Sequence, residues 1–136
     1  MAALDGLKIL IADDDRFMRA TIKLVLRAAG RFDMKEADDG DTGLTEVERW
    51  KPDIVLCDIT MPRMGGLKFV EMLRRHPDEQ IRGTPVIILT GSAEVTTVVA
   101  ASKLQISGYL VKPISAKQIG DQLQKVFAAR PPIPLF

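Results

Sequence analysis

Ile54-Val55-Leu56-Cys57-Asp58-Ile59-Thr60-Met61-Pro62-Arg63-Met64-Gly65-Gly66-Leu67 sets an apolar run, a carboxylate, a Pro/Gly turn and a helix start end to end. The unbroken run Ile54–Cys57 predicts a short strand covered on both faces, because a half-exposed strand would alternate apolar with polar. Three more runs have the same character: Ile9–Ala12, Val86–Leu89 and Tyr109–Val111. A weaker strand is expected at Met34–Ala37. The intervening segments carry helical spacing. Met18, Ile22, Val25, Leu26 and Ala29 form one stripe, capped by Gly30; Leu44, Val47 and Trp50 form a second, stopped by Pro52. Leu67, Val70 and Leu73 mark a third helix, stopped by Pro77, and Ile119, Leu123, Val126 and Phe127 mark the last. A further helix is expected from about Glu94 to Leu104, although Thr96-Thr97-Val98-Val99 is β-branched throughout. Each such residue costs up to roughly 0.7 kcal/mol of helix propensity relative to Ala, so packing must hold that helix. Strand and helix alternate five times, which predicts an α/β domain: a parallel sheet with helices on both faces.

The chain of 136 residues suits one domain with one core, expected over residues 1–130. Arg130-Pro131-Pro132-Ile133-Pro134-Leu135-Phe136 cannot continue a helix, so residues 131–136 read as an extended Pro-rich tail. A net charge of +1 without a basic run argues against direct nucleic-acid binding. The apolar runs are strand-sized, and the start Met1-Ala2-Ala3-Leu4-Asp5-Gly6 is no signal peptide. No membrane partner is expected. A single cysteine, Cys57, excludes an internal disulfide and fits a cytoplasmic protein.

Ligands of open parallel sheets bind beyond the carboxyl ends of the strands. The residues there are Asp13, Asp14 and Asp15 after the first run, Asp58 after the next long one, then Thr90 and Lys112. Each alone has a plainer reading. Asp15 serves as a helix N-cap, Asp58 and Thr90 suit turns, and Lys112 suits a solvated charge. Their coincidence at one edge has no such reading. Carboxylates crowded there repel unless a cation intervenes, and Mg²⁺, which prefers oxygen ligands, is the natural choice. A carboxylate nucleophile, a hard cation, a hydroxyl and an ammonium suit phosphoryl transfer, with Asp58 attacking in line. The only histidine, His76, sits beside Pro77 as a helix-end residue.

From Leu7 to Ala129 the chain resembles the receiver domain of two-component response regulators, in their chemotaxis-regulator-like form. The matching stretches are Ile11-Ala12-Asp13-Asp14-Asp15, Val55 through Leu67, Ile88-Leu89-Thr90-Gly91 and Gly108-Tyr109-Leu110-Val111-Lys112-Pro113. The resemblance implies a flavodoxin-like fold: five parallel strands in the order 2-1-3-4-5, flanked by five helices. It implies phosphorylation at Asp58 by a histidine kinase or histidine phosphotransfer protein. Asp14 and Asp58 would bind Mg²⁺ (or Mn²⁺) directly, Asp13 mostly through water and Thr60 through its backbone carbonyl. Lys112 would contact the acyl phosphate, Thr90 would move to meet it, and Tyr109 would turn inward. Lys112-Pro113 would be cis. Thr60 and Ser92 stand where the family tunes dephosphorylation, and neither carries an acid or amide. Gly91 replaces the more usual alanine. The implied protein is a signalling switch, not an enzyme beyond its own phosphorylation and dephosphorylation. It would speak to a downstream protein target through the face formed by helix 4, strand 5 and helix 5. Met1 and the short tail favour a free-standing receiver; one excised from a longer chain is the alternative.

Two rivals are weaker. A Mg²⁺-dependent aspartyl-phosphate phosphatase usually carries a second acid two residues after its nucleophile, where this chain has Thr60. An FMN-binding domain would need a phosphate loop where Asp13–Asp15 would repel the phosphate.

Overall fold

Four of the five strands fall where apolar runs leave no alternation, Asp33–Ala37 being the exception, and the computed structural model describes residues 4–91 and 100–128. In chain order these are β1 (Lys8–Ala12), α1 (Arg16–Ala29), β2 (Asp33–Ala37), α2 (Gly40–Trp50), β3 (Ile54–Asp58) and α3 (Gly66–Arg74). A short α4 (Glu79–Arg82), β4 (Val86–Thr90), β5 (Gly108–Val111) and α5 (Ala116–Ala128) complete them. All strand pairs are parallel and the sheet order is β2-β1-β3-β4-β5, the order expected. Of the helix expected from Glu94 to Leu104, only its last part is described, helical at residues 100–102. Ser92 and the Pro-rich tail lie outside the described residues.

Alternate side chains of each strand serve opposite faces. Ile9, Ile11, Ile54, Leu56, Ile87 and Leu89 pack under Ile22 and Leu26 of α1 and Ile119 and Leu123 of α5. Leu10, Ala12, Val55, Cys57, Val86 and Ile88 meet Val47 of α2 and Phe69, Val70 and Leu73 of α3. Fully burying one such side chain contributes about 1.5–3 kcal/mol over leaving it exposed. The three central strands are nearly all buried, whereas β2 and β5 at the sheet edges keep exposed residues. That difference explains why Met34–Ala37 read weakly: only Ala37 of β2 is buried.

The helix caps follow local chemistry. Asp15 accepts the Phe17 and Met18 N–H groups at the start of α1, and Gly30 closes its end. Asp39 caps α2 through the Thr42 N–H. Helical spacing does not announce α4, although Asp78 caps it through the Gln80 and Ile81 N–H groups and Gly83 ends it. A capping acid ahead and a glycine behind were the available signals. With only Ile81 to bury, the segment shows no period.

Candidate functional site

Three strand ends bring their polar residues together. Asp13 follows β1, and its N–H donates to the Ala37 carbonyl, so the sheet ladder itself sets the backbone. The Asp13 side chain is buried; its Oδ1 accepts the Asp15 N–H at 2.8 Å. Arg19 donates to the Asp13 carbonyl at 2.7 Å and to Glu36 at 2.9 Å, bracing the turn from the α1 side. Asp58 is the last residue of β3, with Oδ1 accepting its neighbour Ile59's N–H at 3.0 Å. Lys112 follows β5, and its N–H donates to the Thr90 carbonyl at 2.6 Å. Its Nζ lies 2.8 Å from Asp13 Oδ2 and 3.4 Å from Asp58 Oδ1.

Carboxylate oxygens of Asp13, Asp14 and Asp58 all lie within 4.8 Å of one another. One lysine cannot neutralise three acids. Burial pushes the Asp58 carboxyl above its usual range; Lys112 pulls it back only in part, because Asp13 repels it too. Burial also works against the Lys112 ammonium, but the Asp13 and Asp58 carboxylates outweigh it and hold it above the ordinary lysine range. The ammonium therefore stays charged and is shared unequally, with Asp13 taking the shorter contact. An all-oxygen donor set with surplus negative charge fits a hard divalent cation that retains waters.

Thr90 ends β4 and is buried; Tyr109 of β5 is half-buried against the core on the α2/α3 face. Thr60 is exposed in the loop after β3, and the Lys112–Pro113 peptide is cis. Beside Asp58, Cys57 is wholly buried, its Sγ–H directed at the Asp58 carbonyl, and burial pushes the thiol far up. A thiol so held is chemically inert. His76 follows α3 as expected, its Nδ1 accepting the Asp78 N–H.

The loop from β3 to α3 is packed at backbone distance. A Cβ on Gly66 would lie 2.1 Å from the Asp58 carbonyl oxygen, so only glycine allows α3 to start there. A Cβ on Gly40 would lie 2.7 Å from the Met64 carbonyl oxygen. Strand-end reasoning missed one ion pair at this loop: Arg63 donates to Asp39, whose side chain is fully buried. The two residues stand 24 apart in sequence, and no local signal joins them.

A family model for the response regulator receiver domain matches residues 9–124. The chain is 36% identical over 122 residues to chemotaxis protein CheY-3 of Vibrio cholerae, covering 90% of this chain and 92% of that protein. It is 35% identical over 121 residues to chemotaxis protein CheY of Pseudomonas aeruginosa, covering 89% and 96%. Among solved structures, Vibrio cholerae CheY4 superposes with a TM-score of 0.80 at 28% identity, covering 89% of this chain and 98% of that one. A CheY-like receiver domain protein from Methanospirillum hungatei shares the fold, with a TM-score of 0.80 at 23% identity, covering 92% and 96%. The chain belongs to the response regulator receiver family, in its CheY-like form.

Proposed function

We propose that Asp58 accepts a phosphoryl group from a phosphohistidine on a histidine kinase or histidine phosphotransfer protein. One observation carries the reading: a half-buried Asp58 faces the Lys112 ammonium at 3.4 Å beside two further carboxylates. Attack by Oδ2 leaves the Oδ1 contacts with Ile59 and Lys112 in place. An O–P bond forms as the donor's P–N bond breaks, and the departing imidazole keeps or regains its proton from water. Lys112 then meets the new phosphoryl oxygens. Asp13, Asp14 and Asp58, with the Thr60 backbone carbonyl, would hold Mg²⁺ (or Mn²⁺). Bound there, the ion neutralises phosphoryl charge as it redistributes.

The switch follows from differential contact. Phosphoryl oxygens that can be met by both Thr90 and Lys112 in only one loop arrangement favour that arrangement. Moving a 1:99 mixture to 99:1 takes about 5.5 kcal/mol, so a partial shift is the expectation. Tyr109 turning inward would carry the change to the face formed by the helix ending at residue 102, β5 and α5, and so to a downstream protein target. The relatives' names, chemotaxis proteins, support a signalling role of this kind. Activity on outside substrates is not part of it, and the site of action is the cytoplasm. Among the described residues, no helix is long and apolar enough to cross a membrane.

Acetyl phosphate or phosphoramidate with Mg²⁺ should add one phosphoryl group, read by intact mass. No adduct under conditions that label a known receiver would overturn the function. An adduct surviving Asp58→Asn would overturn the site.

A further inference from the structure

Arg63 has φ +62, in the left-handed region that disfavours side chains larger than glycine. A strained non-glycine residue persists where its surroundings hold it, and here the holder is identifiable. The Arg63 guanidinium donates to Asp39, a carboxylate with 0% of its surface exposed, although the arginine side chain itself is 67% exposed. Asp39 cannot drift, because it also caps α2 through the Thr42 N–H at 2.8 Å. One residue on, the Gly40 N–H donates to the Met64 carbonyl at 3.0 Å, with no room for a Cβ between them. The Gly66 N–H closes the other end of the loop on the Ile59 carbonyl at 2.8 Å. The loop carrying Thr60 is therefore closed at its base between Gly66 and Ile59, just after β3, and joined at its tip to the start of α2.

We propose that Arg63 is a positioning residue: by clamping the loop onto buried Asp39 it holds the Thr60 backbone beside Asp58 and so sets the site's affinity for a divalent cation. The inference rests on the phosphoacceptor reading of Asp58 for its purpose, though not for its geometry. Removing the guanidinium leaves Asp39 buried and unpaired, and the loop tip is then freed to relieve both that charge and the strained φ. Arg63 touches neither cation nor phosphate. Its influence passes through the loop backbone, as a group that orients a metal ligand does.

The test uses the whole chain without any phosphodonor. Arg63→Ala should weaken Mg²⁺ binding in calorimetric titration by about tenfold, the lower end for groups that orient a ligand from outside the metal shell. In metal-free protein it should also speed amide exchange at Gly40. Arg63→Lys should restore part of both. Asp39→Ser, which keeps an N-cap oxygen without the charge, should produce the same shift, and the double variant no more than either single one. Ile119→Val, on the opposite face of the sheet, supplies a mild loss of stability as reference. Unchanged Mg²⁺ affinity in Arg63→Ala would overturn the clamp, as would a shift matched by Ile119→Val or additive losses in the double variant. If wild type takes no phosphate while the clamp variants behave as stated, the function fails and the positioning role stands.

Discussion

The two edges of this sheet solve opposite problems. At the amino edge, Arg74 of α3 donates to the carbonyls of Leu104, Arg82, Thr84 and Gln105 at 2.8–3.1 Å. One half-buried cation there satisfies carbonyls from two stretches of chain, Arg82–Thr84 and Leu104–Gln105, and ties them together. At the carboxyl edge, three carboxylates crowd together, one lysine meets only Asp13 and Asp58, and burial disfavours the ionised form of Asp58. The amino edge is built for stability. The carboxyl edge keeps an unspent electrostatic demand, which is what a site must keep if a cation or a phosphoryl group is to be welcomed later.

The contrast can be broken most directly at Asp58. Asp58→Asn should abolish the phosphoryl adduct, read by mass, and yet raise the melting temperature of metal-free protein. The sign is fixed by the direction of the shift. A carboxyl whose folded value lies above its unfolded one weakens the fold while ionised, and that cost is relieved as pH falls through the raised folded value. The stability gap between variant and wild type in EDTA should therefore narrow toward acid pH; a widening gap would contradict the picture. Next in size, Lys112→Gln should slow phosphorylation by phosphoramidate about 100-fold, the loss typical of one aimed donor in a transition state. At the other edge, Arg74→Met should cost about 2 kcal/mol in urea unfolding by stranding its carbonyls, while phosphorylation proceeds normally. A phosphorylation defect there would mean that the edges are not independent. Least of all, Lys117→Ala should leave stability unchanged, since its 2.9 Å pair with Asp121 is widely solvent-exposed.

The central strands were legible because burial on both faces removes polar positions altogether, and Ile54–Cys57 could hardly be anything else. Asp13, Asp14, Asp58 and Lys112 were legible for a related reason: a parallel sheet brings the residues at the carboxyl end of each strand, or just past it, toward one edge. Thr90, the last residue of β4, comes to the same edge by the same rule. What escaped was made by long-range partners. Arg63 and Asp39, Arg19 and Glu36, and Arg74 with the Leu104 and Gln105 carbonyls depend on which segments meet, and no short window of sequence contains that. The α4 turn escaped because four residues are too few to display a helical period.

Cys57 has a consequence for the bench. The chain's only thiol is wholly enclosed and pushed well above the usual cysteine range, so maleimides should pass the native protein by. A fluorophore or spin label could then be attached through a cysteine introduced at exposed Val111, one residue before Lys112, without first mutating the native one. The thiol beside Asp58 thus leaves the chain ready for reporters that test the proposed switch.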